Sequence, residues 1–343
     1  MMEGEEEPES EEEEIEMDEK EYEALMGEMQ VSSADEDAMA MFMPTEFKAQ
    51  VKLSDIIMQK IAEKEMMHEQ DGEDYEDEEL DPKIKEVYTG VGRVLQRYKS
   101  GKLPKAFKMI SQLSNWEEIL YLTEPDDWSN GAMYEATRSF TCRHASILQR
   151  FLNLVLLPRV RDDIRENKGK LNYHLYRSLK KCLFKPAAFY KGILLPLAES
   201  GTCTLLEAWI VCSVMSKVSI RLLDSAAALL KLAEMEFTGA TSLFMRTLLN
   251  KKYALPYRVL DSISAHFMRF QSDSREMPVV WHQTLLTFVQ RYKEDLTIEE
   301  KQAFKELMRR HQHPAVTPEI RRELFSSRSR GDPKTGEGDM MMD

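Results

Sequence analysis

The fold is decided at residues 172–185, NYHLYRSLKKCLFK. At about 100° per residue, a helix places Tyr173, Arg177, Lys180 and Phe184 within about 60° of one another, with Leu175, Leu179 and Cys182 on the opposite side. One face is apolar and suits a core. The other is basic and aromatic. Asn172 supplies the start signal and Pro186 the stop.

The same periodicity runs outward in both directions. On the N-terminal side, Val87, Val91, Val94, Leu95 and Tyr98 mark a helix closed by Gly101; Pro104 opens a short one; Ser114 caps WEEILYLT, which stops at Pro125; and residues 126–167 hold two or three more, including FLNLVLLP. On the C-terminal side, helices are expected around 187–199, 204–219, 221–236, 239–250, 256–270, 278–292, 297–310 and 317–326, separated by Gly201, Gly239, Pro256, Pro278, Thr297 and Pro318. No segment alternates like a strand between hairpin turns. The chain is therefore read as all-α. Helices of about 12–18 residues with short turns predict stacked antiparallel pairs, a degenerate α-solenoid without a fixed-period motif.

The 343 residues divide sharply by charge. Residues 1–82 carry 31 of the 60 acidic side chains and 5 of the 46 basic ones, a net of −26; residues 83–343 carry the remainder, a net of +12. Three regions follow: an acidic arm over 1–82, a helical body over 83–326 and a tail over 327–343. Residues 1–35 and 328–343 cannot bury enough apolar surface to offset the entropy of ordering, which predicts disorder there. Within the arm, Ser54 is expected to cap a helix near 54–67 with Ile57, Met58 and Ile61 on one side. That helix either docks a partner or packs back on its own body.

The four cysteines have no C-x-x-C spacing and no secretory segment precedes them, which predicts buried free thiols in a reducing compartment. The start, Met-Met-Glu-Gly-Glu, is unlike a targeting peptide, and the most apolar stretch, 192–215, is broken by Pro196, Glu199, Gly201 and Glu207, so no membrane insertion is expected. Gly90 and Gly92 form a G-x-G fragment on a helical pattern, without the strand or third glycine of a dinucleotide site. His311 and His313 are the only close histidines and lack accompanying metal ligands. No nucleophile–base set, cofactor site, metal site or small-molecule site is read, so the chain is taken to be no enzyme.

The chemical signal is charge. Residues 138–191 hold 13 basic and three acidic side chains. Candidate RNA contacts there are Tyr173, Arg177, Lys180, Lys181, Phe184, Lys185, Lys191, Arg159 and Arg161, because cations neutralise phosphates and rings stack on unpaired bases. Lys102, Lys105 and Lys108 around Phe107 form a second cluster, and Lys251 and Lys252 beside Tyr253 and Tyr257 a third. Any one basic helix is more often a solvated face; the excess over some 50 residues favours binding. Ser10 and Ser33, each followed by acids, are candidate sites for acidophilic kinases.

Nine blocks add a resemblance: GKLPKAFK (101–108), NWEEILYLTEPDDW (115–128), NLVLLPRVRDDI (153–164), LNYHLYRSLKKCLFKP (171–186), KGILLPLAESGTCTL (191–205), LLKLAEMEFTGA (229–240), KKYALPYRVLD (251–261), WHQTLLTFVQRYKEDL (281–296) and TPEIRREL (317–324). Together they resemble the bystin family, eukaryotic assembly factors of the small ribosomal subunit, over about 83–325. The resemblance implies a HEAT-like helical solenoid without enzymatic activity. It implies pre-rRNA of the small subunit as a partner, with ribosomal proteins and other assembly factors near the beak of the head. It also implies contact with the small nucleolar RNP machinery, a role in 18S rRNA processing, and residence in nucleolus and nucleus with a cytoplasmic pre-40S pool. A protein-only helical adaptor for acidic peptides, including a cell-adhesion role, is the alternative. Family members usually carry a longer basic region ahead of the acidic run; this sequence starts with the acids.

Overall fold

The computed structural model describes residues 19–28, 37, 41–42, 49–71 and 81–331. Residues 1–30 form a unit of their own, in which α1 spans Glu19–Glu28. Disorder over 1–35 is thus corrected at α1, where Tyr22, Leu25 and Met26 interrupt the acids at helical spacing. Ser10 and Ser33 lie outside the described residues.

The second unit, 31–343, holds the body. Its helices are α2 (Leu53–Asp71), α3 (Pro82–Gln96), α4 (Lys105–Ile110), α5 (Trp116–Tyr121), α6 (Asn130–Thr141), α7 (Ala145–Phe151), α8 (Leu157–Glu166), α9 (Tyr173–Cys182), α10 (Pro186–Phe189), α11 (Leu195–Glu199), α12 (Leu205–Lys217), α13 (Leu222–Glu234), α14 (Gly239–Leu249), α15 (Tyr257–Met268), α16 (Val279–Tyr292), α17 (Ile298–Arg310) and α18 (Thr317–Phe325). No strand occurs among the described residues. From α6 onward, the helices pack in two layers. One layer runs α6, α9, α12, α14, α16, α18; the other runs from α7 and α8 through α10 and α11 to α13, α15 and α17. This is the all-α, solenoid-like stack of helix pairs expected from the spacing. First-layer helices start 43, 32, 34, 40 and 38 residues apart, which is why no fixed period is visible in the sequence.

Two places in the second layer leave α geometry. Residues 152–156 and 190–194 are π turns, in which Leu157 N–H bonds Leu152 O and Leu195 N–H bonds Tyr190 O. Each is followed by Leu-Pro. Pro158 and Pro196 have no N–H, and in an α-helix their rings would meet the carbonyl four residues back; widening the turn relieves that clash. In an α-helix Asn153 O would accept from Leu157 and in a π turn from residue 158, which is proline, so it lacks an in-helix donor. Gln50 Nε2 of the arm supplies a long bond at 3.4 Å. The two π turns pack together, and a Cβ on Gly192 would lie 2.8 Å from Gln149 O and 2.9 Å from Leu152 Cβ. Likewise Gly92 of the G-x-G fragment sits against the backbone of Thr123, 2.7 Å from where its Cβ would be.

Several local expectations are corrected. Helix α2 begins at Leu53, so Ser54 lies in its first turn; Asp55 instead reaches back to Lys52 N–H at 2.8 Å. It buries Leu53 and Ile57 and packs on α5, whereas Met58 and Ile61 face outward, because the docked side is narrower than the apolar stripe. Lys52 Nζ meets Asp162 at 2.9 Å, which holds its ammonium above the usual lysine range. Of the two readings for this segment, packing back on the body is the one observed. In α3 the buried stripe is Tyr88, Val91, Gly92 and Leu95; Val87 and Val94 are exposed and Tyr98 lies beyond the helix end. The α5 cap is Asn115 rather than Ser114, since tight turns at Gln112 and Leu113 hold Ser114 in the preceding loop. The body extends past 326. Arg330 N–H bonds Leu296 O, its guanidinium pairs with Asp261 at 3.0 Å, and Lys301 Nζ bonds the carbonyls of Ser327 and Arg328.

Three thiols are buried, but Cys142 is exposed at the end of α6, a correction to uniform burial. Burial pushes the Cys182 and Cys203 thiols up and Cys212 to about 12, so these sulfurs stay protonated at neutral pH. No described helix is long and apolar enough to cross a membrane.

Candidate nucleic-acid interface

Helix α9 stands as its spacing requires. Asn172 caps it through His174 N–H at 2.9 Å, and Leu175, Leu179 and Cys182 are fully buried. The opposite face holds Tyr173, Arg177, Lys180 and Lys181, all half-buried, with Phe184 exposed just past the helix. Its rings are already engaged, however. The Arg177 guanidinium lies over the Tyr134 ring at 4.4 Å, with Tyr173 at 5.8 Å, and Arg177 also donates to Tyr134 Oη at 3.2 Å. Lys181 Nζ sits 4.2 Å above the Phe184 ring. These pairs present cations edged by rings, which suits phosphate more than base stacking.

Much of the rest of the 138–191 excess is engaged within the fold, either buried or paired at the surface. Arg161 and Glu207 are both 3 % exposed and pair at 2.9 Å, with the guanidinium also bonding Thr202 O and Oγ1 at 2.9 Å. Arg161 therefore leaves the candidate RNA surface, because it braces the start of α12, where Glu207 closes a capping box with Thr204. Arg159 donates to Asp126 O at 2.8 Å, Trp128 O at 3.4 Å and Asn130 Oδ1 at 3.1 Å, so it too is a structural brace. Lys185 donates to Arg143 O, Arg150 pairs with Glu117, and Arg165 with Asp162 at 3.2 Å. Lys191 is exposed on the second π turn.

The third cluster is also largely structural. Lys251 Nζ closes the end of α12 by bonding Ser216 O at 2.9 Å and Val218 O at 2.7 Å, and burial holds its ammonium below the usual range. Tyr253 bonds the Ile220 backbone, and Tyr257 carries the Arg330 guanidinium at 4.8 Å; Lys252 alone of the group is an exposed cation. His311 Nε2–H donates to Phe270 O at 2.9 Å, and His313 Nδ1 accepts Val316 N–H at 3.2 Å. No group of three metal-ligating side chains is found among the described residues.

The strongest basic feature is one that charge counting underrated. Residues 93–108 contain Arg93, Arg97, Lys99, Lys102, Lys105 and Lys108 and no acid. All six are exposed, and none pairs with a carboxylate of a described residue. Arg93, Arg97, Lys99 and Lys102 line an open cleft of about 720 Å³ together with Val94, Gln96 and Tyr98. Ser129 donates to Tyr98 O at 2.6 Å and Tyr98 Oη bonds Gly101 O at 2.5 Å, so the loop carrying these cations is held in shape. A run with no internal counter-charge, around a braced concavity, is an anion-binding arrangement. The signal was present in the sequence as six cations within an unbroken acid-free run of 30 residues, 87–116.

The family model described as Bystin matches residues 48–334. The chain belongs to the bystin family. Bystins from Bos taurus and Homo sapiens are 57% and 56% identical to it over 306 residues, covering 88% of this chain and 70% and 69% of theirs. The bystin of Monosiga brevicollis is 55% identical over 302 residues, covering 88% of this chain and 73% of its own. Both the α9 face and the 93–108 cleft lie inside the region matched to bystin.

Proposed function

We propose that this chain is a non-catalytic RNA-binding scaffold of small-ribosomal-subunit assembly. It holds pre-rRNA through phosphate contacts and serves 18S rRNA processing and 40S maturation in the small-subunit processome and the pre-40S particle. Its partners are then ribosomal proteins and assembly factors around the head, with small nucleolar RNP contact, and its sites the nucleolus, the nucleus and a cytoplasmic pre-40S pool. Family membership supports the assembly role. The observation that carries the RNA role is the exposed, carboxylate-free run from Arg93 to Lys108 around its cleft. The half-buried cations of the α9 face and the exposed Lys191 and Lys252 are further candidates for phosphate contact.

The test is affinity for 18S-precursor fragments across a salt series. Converting Arg97, Lys99 and Lys102 together to Glu is expected to lower the log–log salt slope by about 2, since each single-strand phosphate left unneutralised removes roughly 0.7. An unchanged slope with unchanged helicity overturns the placement of RNA here. Absence of any salt-dependent RNA affinity in the wild type favours the protein-only adaptor.

A further inference from the structure

One side chain of the acidic arm is seated deep in the C-terminal half of the body. Phe42 is 5 % exposed, while its neighbour Met41 is 66 % exposed. The Phe42 ring meets Phe237 edge-on at 5.2 Å, and the Arg275 guanidinium lies 4.4 Å from its centre on another side. Phe237 comes from the loop between α13 and α14, Arg275 from the loop before α16.

The slot is braced by contacts that do not involve Phe42. Phe237 packs on Phe270 at 5.2 Å and on His266 at 6.3 Å. Arg275 is held by Asp273, Nη2 to Oδ2 at 2.6 Å and Nε to both carboxylate oxygens at 3.1 Å. Arg310 in turn bonds Asp273 O at 2.8 Å. The receptor side is therefore a slot walled by the Phe237 ring and the Arg275 guanidinium, with Phe270 behind Phe237 and Arg310 beside Asp273 at the rim.

The ligand side has the character of a linear motif. Phe42 sits in EDAMAMFMPTE (36–46), with one large ring, acids at both ends and Pro44 just after it. Acids suit a rim of Arg275 and Arg310. A lone aromatic in a preformed pocket, flanked by charge complementary to the rim, is how short peptides are recognised. The tether raises the effective concentration of this segment over any competitor, so the bound state is favoured without being permanent.

We propose that Phe237, backed by Phe270, and Arg275 form a peptide-recognition site, that Phe42 is its in-chain ligand, and that the site takes an acidic linear peptide bearing a single phenylalanine from a partner protein when the arm is released. This is independent of the RNA reading, since the slot and the 93–108 cleft share no residue.

The experiment titrates a fluorescent peptide of residues 36–46 against the full-length chain and its Phe42→Ala form. Vacating the slot is expected to tighten peptide binding by about tenfold or more, the competition a tethered ligand exerts. The same peptide with Ala in place of Phe should not bind, and adding Arg275→Ala to Phe42→Ala should weaken binding again. Phe42→Leu, which keeps an apolar plug, serves as the second variant and should fall between wild type and Phe42→Ala. Equal peptide affinity for wild type and Phe42→Ala overturns the proposal, as does equal binding of the peptide lacking its phenylalanine.

Discussion

Arg161 shows what a single residue's context decides. Read locally, it is one of 13 cations in a basic stretch; in the fold it is a buried pair with Glu207, 46 positions away. The counter-charge lies outside any window that defines the stretch, so charge counting could not find it. Leu175, Leu179 and Cys182 were legible, because helical phase alone decides which side of α9 they occupy. Removing one partner of such a pair strands the other in a low-dielectric site, and Arg161→Ala is expected to cost about 3–5 kcal/mol. Chemical denaturation checks this; a loss below about 1 kcal/mol would mean water reaches Glu207. Gly192 gives a second expectation at this scale. An added methyl meets Gln149 O and Leu152 Cβ inside contact distance, so Gly192→Ala should destabilise by about 1–3 kcal/mol, read from the urea midpoint.

Helix positions were readable to within a few residues from α9 through α18, where caps such as Thr204 and Thr297 and stops such as Pro186 are chemically explicit. Orientation of the outlying helices was not. In α2 the exposed Met58 and Ile61 look as apolar as the buried Leu53 and Ile57, and only α5 decides between them. The body boundary therefore moves from residue 83 to at least residue 50, whose side chain bonds Asn153 O. A chain beginning at residue 83 loses the burial of Leu53 and Ile57, about 1.5–3 kcal/mol each, and the Lys52–Asp162 pair. It should melt several degrees below a chain of residues 49–331, a comparison that differential scanning calorimetry makes directly. The basic elements divide the same way. Cations of 138–191 largely meet internal acceptors, whereas those of 93–108 meet none among the described carboxylates, so charge reversal there should change RNA binding without changing melting.

At the scale of the whole stack, stability should depend on pH through its buried imidazoles. Burial, then the neighbouring Arg269, pushes His266 down to about 4; burial, then His313 and His311, does the same to His282. An unfolded histidine takes its proton near 6.5, so the unfolded chain binds more protons between about pH 6.5 and 4. Stability is then complete above about 6.5 and is lost as pH falls toward 4. Urea midpoints at pH 7.5 and 5 should differ, and His282→Gln should remove about half of the difference. The stack also carries two π turns whose effect is one of phase. A helix advances about 100° per residue, so one extra residue in a turn rotates everything after it by that angle. Arg161 and Asp162 lie downstream of the first such turn, and they reach Glu207 and Lys52 only because the winding has slipped by that step. Deleting Asn153 would take back that step, setting the Pro158 ring against the carbonyl four residues before it and turning the rest of α8 out of step with its neighbours, so that the Arg161 guanidinium is aimed away from Glu207 although neither residue of the pair is changed.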